Sequence, residues 1–544
     1  MTLAALSRRP LSRLTAAAAA AVLLLSGCTE MGGDPGGSSP AGEASDSGQD
    51  APADEADLPL DDLGKSAAQE LPADPASDSD YAQYYDQDIE WGECEDVQSE
   101  DAECGTVTVP LVWDDPSQGS IELAVGRLPG ADEDSGSLLV NPGGPGASGV
   151  NFLDSVPYML SPEVLSAYDM VGFDPRGVAR TAGVECLSDE ETDQYRSETA
   201  EPGTAEAEDM AEKWSSRIAE ACEANSGDVL PYLDTYSAAR DMDVLRAALD
   251  SEKLDYLGYS YGTYLGSTYA DLYADRVGHF VLDGALDPTI TMDELTAGQA
   301  EGFEKATSAF VEDCLGSADS CPLKGDVSEG KQQLQAFFAS VDDNPLQTDD
   351  PDRPLTGALA RSAVMMLMYE DGQWSEGRQA LGEAMSGDGA QLLEMSDRSA
   401  ERQEDGSYRT NANFAISAIN CLDHPGIADE QWQEQEADRL AEEFPTFGPT
   451  MGGDGCSQWP VPPLREPAPI SAEGADPIVV IGTTGDPATP YEWSVSLADQ
   501  LSSGVHLTFE GNGHTAYGRS GGCIEEQVDA YLLEDTVPED GLTC

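Results

Sequence analysis

Leu254-Asp-Tyr-Leu-Gly-Tyr-Ser260-Tyr-Gly-Thr-Tyr-Leu-Gly266 is the stretch on which the reading of the whole chain turns. Leu254 to Leu257 is a short apolar strand pattern that runs into Gly258-Tyr259-Ser260-Tyr261-Gly262. Beyond it, Tyr264, Leu265, Thr268, Tyr269 and Leu272 recur at helical spacing. A strand, a Gly-x-Ser-x-Gly turn and a helix are the parts of a nucleophile elbow. The turn is tight enough to strain the serine backbone, and glycines at its flanks let strand and helix pass closely. This predicts Ser260 as a nucleophile at a helix N-terminus, where the Tyr261 N–H can donate to a developing oxyanion. The pentapeptide alone carries little weight, because Gly518-Arg-Ser520-Gly-Gly522 also matches it. No strand pattern precedes that second copy and no helical pattern starts on it, so it reads as a loop.

Outward from the elbow, strands and helices alternate. Ala238, Met242, Leu245 and Leu249 mark a helix leading into the elbow strand, and Val277 to Asp283 is the strand that follows the elbow helix. Alternation of this kind calls for a parallel sheet. Further back, Gly105 to Trp113 and Ile121 to Leu128 are strand-like and close enough to pair as a hairpin. Leu138-Leu139-Val140 opens into the glycine loop Asn141-Pro-Gly-Gly-Pro-Gly146, whose backbone can approach a ligand closely. No Lys-Ser or Lys-Thr follows, which argues against a phosphate loop. Tyr168 to Gly177 is another strand and turn, with Asp174 and Arg176 as braces. From about Thr289 to Glu466 acidic helical segments replace the alternation, and Pro477-Ile-Val-Val-Ile-Gly482 then restores the buried-strand pattern. A sheet interrupted and resumed is one domain carrying a cap. The expected segments are 81–288 for the first part of the core, 289–466 for a helical cap and 467–544 for the rest of the core.

A serine hydroxyl needs a base within hydrogen-bond reach. The four histidines are His279, His424, His506 and His514. His279 and His506 lie in strand patterns, and His424 lies in the cap before a proline. His514 sits in Gly511-Asn-Gly-His-Thr, a flexible loop after a late strand, and is the expected base. Asp486, in a turn fixed by Gly485 and Pro487 after the restored strand, is the expected acid, with Asp283 and Asp287 as alternatives. Thr489 is either a supporting hydroxyl or a helix cap.

The chain has 544 residues, 40% of them hydrophobic, and its first residues read as a leader. Arg8, Arg9 and Arg13 precede an apolar run from Leu14 to Leu25, which closes on Leu25-Ser-Gly-Cys28. Residues 1–28 resemble a lipoprotein signal peptide ending at a lipidated Cys28, and Ser7-Arg-Arg-Pro-Leu11 faintly resembles a twin-arginine signal. Residues 29–80, poor in apolar periodicity and rich in Gly, Ser, Pro, Asp and Glu, read as a disordered acidic linker. Export allows disulfides, and with Cys28 set aside the cysteines fall as neighbours: Cys94-Cys104, Cys186-Cys222, Cys314-Cys321, Cys421-Cys456 and Cys523-Cys544. A metal site is the competing reading, but there is no Cys-x-x-Cys and almost no histidine nearby, so no metal and no cofactor are expected. The formal charge of −78, from 104 acids against 26 bases, argues against nucleic-acid partners and against binding to anionic lipid other than through the lipid anchor. It fits a high-salt setting or simply an acidic exported protein, and a monomer is expected.

Pro142-Gly-Gly-Pro-Gly146, Gly-Tyr-Ser260-Tyr-Gly-Thr, Val-Leu-Asp283-Gly, Gly-Asp486-Pro-Ala-Thr-Pro and Gly-His514-Thr-Ala together resemble the actinobacterial secreted tripeptidyl aminopeptidases. These are α/β-hydrolases related to proline iminopeptidases. Pro142 stands where proline iminopeptidases carry histidine, but the glycines that present backbone remain. The resemblance implies an α/β-hydrolase fold with a mostly parallel sheet and a helical cap. It implies a Ser260–His514–Asp486 triad, with the Gly144 N–H as second oxyanion donor beside Tyr261. The activity it implies is release of short peptides, tripeptides among them, from free N-termini through an acyl-enzyme. An exopeptidase must also pair the substrate ammonium with a carboxylate, and Asp423 in the cap is the expected partner. A carboxylesterase or lipase-type hydrolase would use the same triad, and a catalytically silent surface lipoprotein is the non-enzyme alternative.

Overall fold

The computed structural model describes residues 74–544 except 95–96, 100, 132–134, 318–320, 427–429 and 453–454. The expected signal segment with Cys28, and the linker as far as residue 73, lie outside the described residues. The strands are β1 (Gly92–Glu93), β2 (Glu103–Pro110), β3 (Ser120–Leu128), β4 (Gly136–Asn141) and β5 (Tyr168–Phe173), then β6 (Leu254–Tyr259), β7 (Val277–Asp283), β8 (Ile478–Gly485), β9 (Gly504–Asn512) and β10 (Leu542–Thr543). They form one sheet in the order β1-β2-β3-β5-β4-β6-β7-β8-β9-β10. Pairings β1–β2, β2–β3 and β3–β5 are antiparallel and the others parallel. This is the mostly parallel sheet of an α/β-hydrolase.

The strand residues explain the layering. In β8, Ile478 and Val480 join one apolar core while Val479 and Ile481 join the other. Both faces are therefore covered, which is why this strand reads as a continuous apolar run rather than an alternating one. The helices Thr235–Ala248 and Tyr261–Leu272 bury Met242, Leu245, Leu265 and Tyr269 on the first face. The helix Cys523–Glu534 buries Val528 and Leu532 on the second. Each such side chain contributes about 1.5–3 kcal/mol on leaving water.

Between β7 and β8 the described residues form seven α-helices, from Met292–Gly316 to Glu430–Glu443. Most of them close around a separate core that includes Phe303, Phe310, Phe338, Leu359 and Phe447. The helix Ala412–Asp423 differs: Phe414, Ala418, Ile419 and Leu422 belong to the core against the sheet, so this helix seats the cap.

One boundary needs correction. Asp74 to Asp80, assigned to the linker by composition, is folded: Asp74 caps the turn Pro75–Ser77 and pairs with Arg276 at 2.6 Å, and Pro75 is buried. One ion pair and one proline hold a segment whose composition predicts none. Within 81–288, the helix Asp189–Ser197 reaches the cap, where Arg196 donates to the Ser396 carbonyl at 2.7 Å, while the helix Ala205–Ser226 bonds to Glu191 and Glu198 and buries Ala221 and Cys222 in the sheet-side core. The capping residues Ser188 and Thr204 start both helices locally. Only the long-range pairing says where they dock.

Five disulfides are closed: Cys94–Cys104, Cys186–Cys222, Cys314–Cys321, Cys421–Cys456 and Cys523–Cys544. Arg176, fully buried, pairs with Asp241 at 2.7 Å and donates to the carbonyls of Pro110, Leu111 and Tyr232. Asp174 accepts from the Val150 amide and from Arg180. Both brace the turn after β5.

Candidate active site

Strand β6 ends at Tyr259 and the helix begins at Tyr261, so Ser260 makes the turn alone, at φ +55° and ψ −125°. A residue with a side chain pays strain to sit there, and packing must hold it. Two contacts do so. The Ser260 N–H donates to the Asp283 carbonyl at 2.9 Å. Strand and helix also cross so closely that a Cβ on Gly258 would lie 2.5 Å from the Gly262 carbonyl oxygen. The glycines of the pentapeptide are there for that crossing.

The loop after β4 lies directly over the elbow. A Cβ on Gly143 would sit 2.9 Å from the Ser260 Cβ and 3.1 Å from the Tyr261 nitrogen. As the first residue of its helix, Tyr261 has an amide with no intrahelical acceptor. Gly144, the expected second donor, lies in the same loop, and its N–H has no acceptor among the described residues. Donors without acceptors beside a serine are what an oxyanion hole requires.

His514 and Asp486 are brought together. His514 Nδ1 is 2.9 Å from both carboxylate oxygens. Asp486 Oδ1 also accepts from the amides of Ala488 and Thr489, each at 2.9 Å, and Oδ2 accepts from the Thr515 amide at 3.1 Å. Four donors around one carboxylate fix its orientation. A carboxylate on Nδ1 fixes the imidazole with that proton in place and leaves the Nε2 lone pair able to accept a proton. Nε2 is buried and has no hydrogen-bond partner among the described residues. The imidazole lies near the elbow: a Cβ on Gly284, next to the residue whose carbonyl holds the Ser260 amide, would lie 3.1 Å from His514 Cε1. Thr489 Oγ1 is 3.2 Å from His514 Nδ1, and the following helix is capped by Pro490, so Thr489 serves the imidazole rather than the helix end.

The alternatives for the acid have other work. Asp283 accepts from the amides of Ala516 and Tyr517, at 2.9 and 2.7 Å, and fastens the loop that carries His514. Full burial pushes its carboxyl up to about 7. Asp287 accepts from Thr289 and Gln500. Of the other histidines, His279 lies between Asp255 and Asp535, and His506 meets Ser494 at 2.9 Å. His424 is buried, with Nδ1 near the Ile290 carbonyl, and burial pulls its pKa down to about 4. Ser520 of the second pentapeptide bonds to Glu525 from a loop.

Asp423 is the correction. Its carboxylate is buried behind the elbow and accepts from the Thr235 N–H at 3.0 Å and from the Thr235 hydroxyl at 2.6 Å. A group committed to Thr235 and absent from the cavity wall cannot meet a substrate amine. Spacing alone placed it on the cap but could not say which face it takes.

Sequence reasoning also missed Tyr369. Its carbonyl accepts the His514 N–H at 2.8 Å, and its ring stands perpendicular to the imidazole with centroids 5.4 Å apart. Tyr369 ends an apolar helical run of the cap, and nothing local links it to a loop 145 residues later. Past it opens a cavity of about 1600 Å³, lined among others by His514, Tyr259, Phe152, Tyr369, Glu370 and Arg519. Among the described residues no group of His, Cys, Asp and Glu is arranged to hold a metal ion.

A family profile described as "TAP-like protein" matches residues 444–544. Serine protease Hip1 of Mycobacterium tuberculosis is 37% identical over 484 residues, covering 84% of this chain and 91% of the relative. Carboxylesterase B of the same organism is 35% identical over 468 residues, covering 84% and 89%. Tripeptidyl aminopeptidase of Streptomyces lividans is 29% identical over 476 residues, covering 84% and 86%.

Proposed function

The chain belongs to the actinobacterial TAP-like α/β-hydrolases, a family of serine hydrolases, and from that premise we propose that it is an exported exopeptidase releasing short peptides from free N-termini. Ser260 is the nucleophile, His514 the general base and Asp486 its orienting acid. The Tyr261 and Gly144 amides receive the oxyanion. The observation that carries this reading is the imidazole of His514, held through Nδ1 by Asp486 with Nε2 unpartnered beside a capped, peptide-sized cavity.

In this mechanism His514 Nε2 takes the Ser260 proton as Oγ attacks the scissile carbonyl carbon. The carbonyl oxygen becomes an oxyanion under the two amides. Its collapse breaks the C–N bond, and the imidazolium gives its proton to the leaving amine. Water then enters, deprotonated by the same nitrogen, and releases the peptide acid from the acyl-enzyme.

The cavity walls support recognition of an ammonium group. They carry eight carboxylates and five arginines, a negative balance. Glu370 follows Tyr369 and is therefore near the imidazole. It bonds to Gln373 at 2.6 Å and has no cationic partner among the described residues. A half-buried carboxylate lacking a cation is the natural seat for an α-ammonium, and Glu370 takes the role that Asp423 does not.

A second reading is favoured by one finding, the 35% identity to a protein named carboxylesterase. The two readings separate on substrate. A free-amine tripeptide anilide and a simple acyl ester are compared on one preparation. The peptidase reading expects kcat/KM to be higher for the anilide although its leaving group is the poorer one. Turnover of the ester alone overturns it.

The leader supports attachment to the outer face of the cell membrane through lipid on Cys28, and among the described residues no helix is long and apolar enough to cross a membrane. Cys28→Ala is expected to abolish incorporation of labelled fatty acid and to move the protein out of the membrane fraction. Because residue 28 lies far before the folded body, the variant keeps wild-type kcat/KM. Labelled Cys28→Ala protein would overturn the anchor.

A further inference from the structure

The helix Ala412–Asp423 meets the glycine loop that carries Gly144 and, through Thr235, reaches Tyr261. At its first turn, a Cβ on Gly146 would lie 3.0 Å from the Ala415 Cβ and 3.2 Å from the Ile416 nitrogen, so the glycine loop rests on the helix without a gap. At its last residue, Asp423 receives the Thr235 hydroxyl at 2.6 Å, and the Thr235 oxygen in turn meets the Tyr261 phenol. A hydroxyl has one proton to give. Thr235 gives its proton to the carboxylate, so the Tyr261 O–H donates to Thr235. Asp423, Thr235 and Tyr261 are all buried. A directed chain of hydrogen bonds thus runs from the cap, through the start of the helix Thr235–Ala248, to the residue after the nucleophile.

As a source of stability this carboxylate is a poor one. Burial, with Asp234 beside it, raises its pKa to about 7, and the nearby Arg465 is committed to Asp234. What the chain supplies is position. The Tyr261 ring is fixed at its hydroxyl end by Thr235 and along its side by the Tyr264 ring, with centroids 6.4 Å apart. The Tyr264 ring in turn packs on His424, next to Asp423, at 5.5 Å. Anchoring a side chain at its far end restricts the main-chain amide that carries it.

We propose that Asp423 is a positioning residue which, through Thr235 and the Tyr261 phenol, sets the direction of the Tyr261 N–H in the oxyanion hole. This rests on the assignment of Ser260 and Tyr261 given above. Cap seating and transition-state stabilisation are then one event, because the helix that docks the cap also holds the donor.

The test uses the full chain and a free-amine tripeptide anilide. Thr235→Val, Tyr261→Phe and Asp423→Asn each lower kcat on the order of tenfold and leave KM within about twofold, because the oxyanion exists only in the transition state. Thr235→Ser keeps the hydroxyl and keeps the wild-type kcat. The Thr235→Val/Asp423→Asn double variant loses no more than the worse single one, since the groups act in series. Affinity for a peptide boronic acid, whose tetrahedral adduct occupies the hole, falls with kcat, while affinity for the product peptide does not. Melting temperatures accompany every variant, and Tyr261→Phe, which deletes one oxygen, keeps the test open if a Thr235 variant fails to fold. Wild-type kcat in Tyr261→Phe and Thr235→Val, a loss in Thr235→Ser equal to that in Thr235→Val, or a loss carried by KM overturns the proposal. Ser260→Ala separates the two levels. If it retains turnover, the site assignment fails and the relay with it. If it is inactive while the relay variants are at wild-type rate, the relay alone fails.

Discussion

Ser260→Ala is expected to lower kcat by on the order of 10⁴-fold or more while leaving the melting temperature and KM close to wild type. The elbow is held by the Ser260 amide on the Asp283 carbonyl and by the Gly258–Gly262 crossing, and neither uses the hydroxyl. His514→Ala and Asp486→Asn should fall nearly as far, for different reasons. Loss of the imidazole removes the proton acceptor. In Asp486→Asn an amide replaces a carboxylate that accepts from His514, Ala488, Thr489 and Thr515. The NH₂ group would oppose one of those donors and favour the tautomer with its proton on Nε2, where it blocks the base. Groups that act as a unit do not add, so a Ser260→Ala/His514→Ala variant should be little worse than Ser260→Ala. Labelling with a fluorophosphonate reads the same site independently of substrate. Near-wild-type turnover or labelling of Ser260→Ala would overturn the assignment.

Acetylating the α-amine of a good tripeptide anilide is expected to cost at least about 3 kcal/mol in transition-state stabilisation, more than a hundredfold in kcat/KM. The acetyl group removes the charge that a negative cavity wall attracts, and it adds bulk where Tyr369 and Glu370 close the wall. Glu370→Gln should narrow the difference between free and acetylated substrates by lowering only the rate for the free amine. Equal rates on wild-type enzyme would exclude amine recognition and make the protein an endopeptidase or an esterase. A wide gap that persists in Glu370→Gln would keep the amine rule and move its anchor to another carboxylate.

The fold was legible where local pattern and long-range consequence coincide. Apolar runs such as Val479 to Ile481, bounded by turn residues, read as central strands, and the break between Asp283 and Ile478 reads as an insertion. Ser260, His514 and Asp486 could be proposed because each sits in a turn whose local chemistry announces it. Residues that act by meeting something distant were not legible. Asp423 and Glu370 are both acids on cap helices or their ends, and the sequence gives no means of telling which one faces the cavity. Tyr369 reads as the last apolar residue of a helix, yet its carbonyl accepts the His514 N–H. The docking of Asp189–Ser197 against the cap was hidden for the same reason: its N-cap is a local signal and its partner Ser396 is not.

The hydrogen bond from the His514 amide to the Tyr369 carbonyl limits how the enzyme can be entered. A cap that swung aside like a door would take Tyr369 with it, strip the support from the imidazole and disarm the base while the door stood open. Admission and reactivity would then be mutually exclusive, and each turnover would include a re-arming step. If instead the doorway keeps a fixed width, the enzyme is a sieve. A loose chain end threads to the serine, while a folded surface stops at the rim, whatever sequence it displays.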